Sequence, residues 1–168
     1  DQVVKGVRSG DRGRGREGQE LGNFEPGSDL IAKGTVLAEG VVGHLTYAAL
    51  DHFDINGLDP QRFELGVKEV WEVEEPLDQV IHTMGWPLGK NAGGGSFIYH
   101  LENNQVYVGF VVHLNYENPH LYPYMEFQRF KHHPMVADLL KGGKRIAYGA
   151  RAISEGGPVA AIAVCKIR

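Results

Sequence analysis

The chain has 168 residues, 42% of them hydrophobic, and a formal net charge of -4 at pH 7. This length and composition suffice for a buried core, and the slight excess of acidic groups excludes the uniformly basic surface by which proteins attract nucleic acid. The single cysteine, Cys165, excludes an internal disulfide and a metal cluster held by four thiolates of this chain.

The sequence of the N-terminal third predicts two strands, one before and one after a polar loop. Residues 2–7 are an apolar strand that begins beside Asp1 with no initiator methionine, so we expect a truncated or processed N-terminus. Glycine alternates with charged residues from Ser9 to Gly22, which predicts a mobile, solvated hairpin tip. Residues 30–37 then form an apolar strand that returns beside the first.

A strand, a glycine turn and a helix follow each other in residues 35–53. Leu45, Ala48 and Ala49 lie at the spacing of one helix face, which predicts a helix from about Gly43 to Phe53. The first turn of a helix offers unpaired N–H groups, and the glycines allow a phosphate to approach them. The same pattern also occurs as a purely structural turn, so the motif alone leaves both interpretations open.

The remaining sequence predicts an α+β fold in which an antiparallel or mixed sheet is flanked by short helices. Alternating apolar residues predict strands, Asn103-Asn104 predicts a hairpin turn, and Pro and Gly mark helix ends. The predicted strands are 63–73, 80–86, two strands within 94–116, and 144–153, and the predicted helices are 124–131 and 134–140.

A run of glycines at 93–95 leads into the sheet. Consecutive glycines expose main-chain N–H and C=O groups, to which a flat ring with carbonyl groups can hydrogen-bond. Aromatic residues nearby are candidates for the apolar walls of such a slot: Trp86, Phe97, Tyr99 and Phe110. The alternative is a flexible loop before a strand, with the aromatic residues in an ordinary core.

The segment 121–131 combines aromatic and basic residues. Such a mixture is typical of a membrane interface, but the three-residue spacing of Phe127 and Phe130 favours a buried helix face. The neighbouring His132 and His133 point apart on a helix, and we predict no metal site there. No apolar run approaches the roughly 20 residues of a transmembrane helix, so any membrane contact is expected to be peripheral.

Several blocks of the chain, in their order and spacing, resemble the electron-transfer flavoprotein:ubiquinone oxidoreductase family. The blocks are LAEG at 37–40 with GHL at 43–45, GVKEVW at 66–71, HTMGWPL at 82–88, GGSFIYH at 94–100, GFVV at 109–112, EFQRFK at 126–131 with HP at 133–134, and GGKRIAYGARA at 142–152. The resemblance covers nearly the whole chain up to Gly157.

The resemblance implies an internal fragment of a peripheral inner-membrane enzyme of bacteria or mitochondria, with a two-domain flavoprotein fold of the FAD/NAD(P)-binding, aromatic-hydroxylase-like kind. It implies electron transfer from reduced electron-transfer flavoprotein to ubiquinone through FAD and a [4Fe–4S] cluster, whose ligands this chain lacks. Gly94 and Gly95 would contact the quinone, and Glu39 and Gly40 would lie near FAD. Residues 1–60 would be part of the FAD-binding domain, 61–155 the ubiquinone-binding domain, and 156–168 a divergent tail.

Two departures from the family pattern leave questions open. The family usually has an aromatic residue before the paired glycines, where this chain has Gly93, so one wall of the slot is lost or supplied elsewhere. The tail from Pro158 fits neither the family nor a cluster motif. The alternatives are a related flavin-dependent reductase or hydroxylase acting on prenyl or aromatic substrates, and an inactive fragment that acts as a binding module.

Overall fold

The computed structural model describes residues 3–56, 60–75 and 77–156, and the backbone of residues 163–166. These residues fall into two compact units, one within 1–57 together with 161–168 and the other within 58–160. Antiparallel sheets and a few short helices make up both, so the predicted α+β class is confirmed. The predicted strand start at Gln2 and the tail residues other than 156 and 163–166 lie outside the described residues.

The described residues of the first unit form small antiparallel strand pairs and one helix. Strand β1 (Gly6–Arg8) pairs with β4 (Asp29–Ile31), β2 (Arg12–Arg14) pairs with β3 (Glu20–Glu25), and β5 (Gly34–Leu37) pairs with β11 (Ala163–Lys166). Helix α1 spans His44–His52 with Gly43 and Phe53 as its caps, as predicted.

Two predictions for this unit are confirmed only in part: the hairpin tip within 9–22 and the return of a strand from residue 30 beside the first strand. The segment from Ser9 to Gly22 is not a loop throughout, because β2 and the start of β3 lie inside it and the Arg14 guanidinium covers the Phe24 ring at 4.7 Å. The predicted strand 30–37 is divided at Ala32 and Lys33 into β4 and β5. Its two halves hydrogen-bond to different partners, one near the N-terminus and one near the C-terminus.

The second unit is built on a sheet of five antiparallel strands in the order β10-β6-β9-β8-β7. The strands are β6 (Arg62–Glu72), β7 (Val80–Met84), β8 (Gly94–His100), β9 (Gln105–His113) and β10 (Lys144–Glu155), and the helices are α2 (Pro123–Lys131) and α3 (Pro134–Leu140). Asn103 and Asn104, with φ of 59° and 56°, form the predicted tight turn between β8 and β9. None of the helices in the described part of the chain has the length and apolar character needed to cross a membrane.

One face of this sheet packs against α2 and α3 and forms the core. Val108, Phe110 and Val112 of β9 are at most 1% exposed, and Phe110 lies 5.6 Å from the ring of Phe130. Phe127 and Phe130 are 0% and 2% exposed, which confirms that this helix face is buried. Burying such side chains stabilises a fold by about 1.5–3 kcal/mol each.

A charged cluster lies within this apolar face. Glu69 of β6 is 1% exposed, yet its carboxylate accepts hydrogen bonds from Lys131 Nζ at 2.7 Å, Trp71 Nε1 at 2.9 Å and Arg145 at 3.0 Å. Desolvation raises the pKa of Glu69, but these hydrogen bonds outweigh it and hold the pKa below its ordinary value. The cluster joins β6 to α2 and β10, and it keeps the buried carboxylate ionised.

Within the described residues of this unit, the opposite face of the sheet packs against neither α2 nor α3 and is rich in glycine. Side chains alternate along strands, so Gly66, Gly95 and Gly109 share this face with Phe97 and Val111. The face is therefore flat along its middle strands and bounded by larger side chains, and this shape leaves room for a ligand.

Candidate functional site

A groove of about 380 Å³ runs over this glycine-rich face at the end formed by β7, β8 and β9. A neighbouring apolar cavity of about 360 Å³ lies over β6 and β10 and shares Phe97 and Val111 with the groove. The residues that line the groove are Glu64, His82, Thr83, Met84, Gly94, Gly95, Ser96, Phe97, Tyr99, Val111 and His113.

The paired glycines of the groove lie in an interior strand, not in a flexible loop. Gly95 is opposite Val111 on one side and Met84 on the other, and the Gly94 carbonyl accepts a hydrogen bond from Gly85 N–H at 3.2 Å. We expected the main-chain carbonyls here to be free to bind a ligand. For Gly94 this is wrong, because its carbonyl already accepts a hydrogen bond from the Gly85 N–H. Whether Gly94 and Gly95 contact a ligand stays a prediction.

The glycines have a structural requirement of their own. A Cβ atom on Gly94 would overlap the carbonyl oxygen of Val111, and one on Gly95 would overlap the carbonyl oxygen of Thr83. Gly94 also has a φ of 150°. Glycine at these positions lets the strands pair closely and leaves the floor of the groove without side chains.

The aromatic residues predicted to form walls separate into two groups. Phe97 and Tyr99 line the groove and stack with their ring centroids 4.8 Å apart, and the Phe97 ring lies across Gly109. Phe110 is wrong as a wall, because it pairs with Ser96 and points into the core. Trp86 is also outside the groove; it packs against His133 at 5.2 Å in a separate cavity of about 230 Å³.

Hydrogen-bonding side chains in the groove were missed at the sequence level. His82 Nε2 lies 3.0 Å from the Tyr99 hydroxyl on the open face, whereas the hydroxyl groups of Thr83 and Ser96, 2.6 Å apart, lie on the core face with Phe110. The alternation in β7 carried a signal, since His82 and Met84 must share the open face, and His82 pairs with Phe97. Met84 is 91% exposed at the rim.

The family usually has an aromatic residue just before the paired glycines, where this chain has Gly93. Here the imidazole ring of His113 occupies that space. A Cβ atom on Gly93 would lie 2.7 Å from Nδ1 of His113, so the imidazole packs directly against Gly93. On its other side, His113 Nε2 lies 3.0 Å from a Glu64 carboxylate oxygen. The imidazole of His113 on β9 therefore bounds the groove on this side, and its role as a wall of a quinone slot stays a prediction.

The second predicted site residue, Glu39, caps helix α1. Its carboxylate accepts hydrogen bonds from the Thr46 N–H at 2.7 Å, the Thr46 hydroxyl at 2.8 Å and the Leu45 N–H at 3.3 Å. The hydrogen bonds from Thr46 keep the pKa of Glu39 below its ordinary value. The carboxylate thus takes the first-turn donors that a phosphate of FAD needs, and these residues do not fit a phosphate at this helix end.

Gly40 stands beside this cap with a φ of 79° and open space where a Cβ atom would lie. A contact of Glu39 or Gly40 with another part of FAD stays a prediction. The chain's one cysteine cannot supply the four thiolates of a [4Fe–4S] cluster, so the donor set for that group does not fit either.

Comparison with known proteins places this geometry in a family. Residues 63–153, which include the five strands and both helices of the second unit almost completely, match the family model "ETF-QO, ubiquinone-binding". The groove lies entirely within the matched residues.

Curated relatives agree with the family model over most of the chain. The electron transfer flavoprotein-ubiquinone oxidoreductase of Pseudomonas aeruginosa is 49% identical over 92% of this chain, and the mitochondrial one of Mus musculus is 48% identical over 94%. The chain spans 29% and 26% of the length of these two relatives. A solved structure of the flavin-dependent brominase Bmp2 aligns over 78% of this chain and 33% of its own, at 14% identity and a TM-score of 0.48.

Proposed function

The chain belongs to the electron transfer flavoprotein-ubiquinone oxidoreductase family, and from that premise we propose that it forms the ubiquinone-binding part of such an enzyme. In this proposal residues 61–155 are the ubiquinone-binding domain and residues 1–60 are part of the FAD-binding domain of a two-domain flavoprotein. The holoenzyme passes electrons from reduced electron-transfer flavoprotein to ubiquinone.

The observation that carries the proposal is the groove within the matched residues. Its floor at Gly94 and Gly95 has no side chains, and the stacked rings of Phe97 and Tyr99 form an apolar wall. A quinone head group is a flat ring whose carbonyl oxygens accept hydrogen bonds, and His82 and Tyr99 carry polar hydrogens beside the floor. The volume of about 380 Å³ suits one such ring.

The redox cofactors of the holoenzyme, FAD and a [4Fe–4S] cluster, supply the electron transfer itself. In this proposal other parts of the enzyme provide the cluster thiolates and the phosphate-binding turn. The residues of this chain bind the quinone, orient it and keep water from its apolar side.

Because the proposed substrate resides in the membrane, we expect the groove to face the membrane. Ubiquinone is held in the lipid bilayer, and the edge strand β7 beside the groove exposes apolar side chains: Val80 at 70%, Met84 at 91% and, just beyond its end, Trp86 at 50%. Exposed apolar residues at one edge suit a peripheral contact with lipid. We propose that this edge meets the inner membrane of a bacterium or a mitochondrion.

Replacement of Phe97 by alanine tests the groove. We expect Phe97→Ala to raise the KM for ubiquinone by about 10- to 100-fold, because removing a phenyl ring from an apolar contact costs about 1.5–3 kcal/mol. The measurement is steady-state ubiquinone reduction by the holoenzyme with reduced electron-transfer flavoprotein as donor. Electron transfer from the same donor to ferricyanide, which needs no quinone site, should not change.

Tyr148→Ala is the matched control, because Tyr148 is an aromatic residue of the same sheet that lies outside the groove and is 79% exposed. It should leave the KM for ubiquinone within about twofold. An unchanged KM in Phe97→Ala would contradict the proposal. A gain of activity on prenyl or aromatic substrates instead of ubiquinone would favour the related flavin-dependent reductases.

A further inference from the structure

A titratable cluster joins the groove to a second cavity on the same unit. The side-chain ligand atoms of Glu64, His113 and Glu155 all lie within 4.8 Å of one another. Glu64 and His113 line the groove, and all three residues line a cavity of about 210 Å³ at the ends of β6, β9 and β10. The cluster therefore has the groove on one side and a second, more polar opening on the other.

The geometry within the cluster is that of a hydrogen-bonded chain. Glu155 pairs with Arg62 and Glu64 with Ile153, so Glu155 and Glu64 are diagonal neighbours on one face of the sheet. Glu64 in turn is 3.0 Å from Nε2 of His113. The other nitrogen of the imidazole, Nδ1, lies on the side that packs against Gly93. A proton that enters at Glu155 thus has hydrogen-bonding groups in succession as far as the residue next to the paired glycines.

We propose that Glu64 and His113 form a proton relay to a quinone bound beside Gly94 and Gly95. This inference rests on the proposed function. Reduction of a quinone to a quinol takes up two electrons and two protons. The electrons come from reduced electron-transfer flavoprotein. The relay delivers one proton, to the carbonyl oxygen nearer His113, and water at the open mouth of the groove supplies the other.

Each bond change in the relay is accounted for. The Nδ1–H bond of neutral His113 breaks as an O–H bond forms on the reduced quinone, and the Glu64 carboxyl proton passes to Nε2. Glu64 is left as a carboxylate, which regains a proton from the second cavity by way of Glu155. The imidazole returns to its first tautomer before the next turnover.

The electrostatics of the cluster favour the protonated form of Glu64 more than those of a solvent-exposed carboxyl would. Burial raises the pKa of the Glu64 carboxyl, the hydrogen bond and the negative charge of Glu155 raise it further, and His113 opposes them. Other titratable or charged groups around the two cavities are Arg62 on β6, His82 on β7 and Tyr99 on β8. Proton donors work best when their pKa lies near the operating pH, so a raised carboxyl pKa suits this role.

Glu64→Gln tests the relay in the holoenzyme, since the amide keeps the size of the side chain and cannot be ionised. We expect ubiquinone turnover to fall at least 10-fold, and the part of its pH dependence that reports protonation of Glu64 to disappear, because a positioned proton donor contributes about 10²–10⁴-fold. The affinity for a ubiquinone analogue, measured by titration, separates a binding defect from a slower proton step, and electron transfer to ferricyanide, which bypasses the groove, should persist. Ferricyanide takes electrons without protons, so it isolates the proton step.

Glu117→Gln is the matched control, because Glu117 is an exposed residue shortly after the same strand as His113. It should keep the parent pH profile. If Glu64→Gln keeps the parent turnover and pH profile, the relay is wrong while the proposed function stands. If the parent holoenzyme reduces ferricyanide but never ubiquinone, the proposed function fails and the relay fails with it.

Discussion

Glu69→Ala is expected to destabilise the second unit by about 3–5 kcal/mol, the cost of removing one partner from a buried ion pair. The variant leaves the Lys131 ammonium, whose side chain is 13% exposed, without its carboxylate at 2.7 Å. It also removes the acceptor of the Trp71 N–H. The guanidinium of Arg145, 42% exposed, can turn to water and loses less.

Hydrogen exchange in strands β6 and β9 measures this effect in the holoenzyme, because it reports the opening free energy of one unit separately. Glu72→Ala, an exposed glutamate on the same strand, should change that free energy by less than about 0.5 kcal/mol. The double variant Glu69→Met with Lys131→Met should recover most of the loss. If the double variant is as unstable as Glu69→Ala, the unpaired charge is not the cause.

Gly95→Ala should loosen the edge of the sheet and disable the groove together. Its Cβ atom would overlap the main-chain oxygen of Thr83, which belongs to a strand and not to a flexible side chain, so β7 has to move away from β8. Overpacking of this kind costs about 1–3 kcal/mol. We expect faster hydrogen exchange of the β7 amides and a higher KM for ubiquinone.

Gly149→Ala is the control on the same sheet, because a Cβ atom there meets nothing within 4 Å. Its effect on exchange in β7 should be below about 0.5 kcal/mol. Unchanged exchange in Gly95→Ala would show that the strands can accept a side chain at this position. The role of glycine in closing the sheet would then be wrong.

Local signals in the sequence predicted much of the second unit. The Asn103-Asn104 turn was predictable because few residues tolerate two successive left-handed conformations, and the proline at the start of α3 marked the beginning of that helix. The burial of Phe127 and Phe130 followed from their spacing. In each case the deciding interaction lies within a few residues of the chain.

Features that depend on distant partners were mispredicted. Strands β4 and β5 looked like one apolar run, because the sequence does not show that they pair with different strands. The glycines before Ser96 begin a strand, as predicted, but the sequence does not show that pairing on both sides makes this strand an interior one. A run of glycines indicates that another group comes close to the backbone, but it does not show whether that group is a neighbouring strand or a ligand.

The charged clusters were out of reach of sequence reasoning for the same reason. Glu69 lies in a strand where alternating glutamates usually face water, and its partners Lys131 and Arg145 are 62 and 76 residues away along the chain. Glu64 and His113 come together only through the pairing of β6 with β9. Neither pair has a spacing motif that marks it.

Photolabelling of the holoenzyme with a light-activated ubiquinone analogue tests the central claim, that the glycine-floored face of the sheet holds the quinone ring. We expect labelled peptides from β7 and β8, within residues 80–100, and loss of the label when unmodified ubiquinone competes. Competed label confined to helices α2 and α3, or to a segment outside residues 58–160, would contradict it.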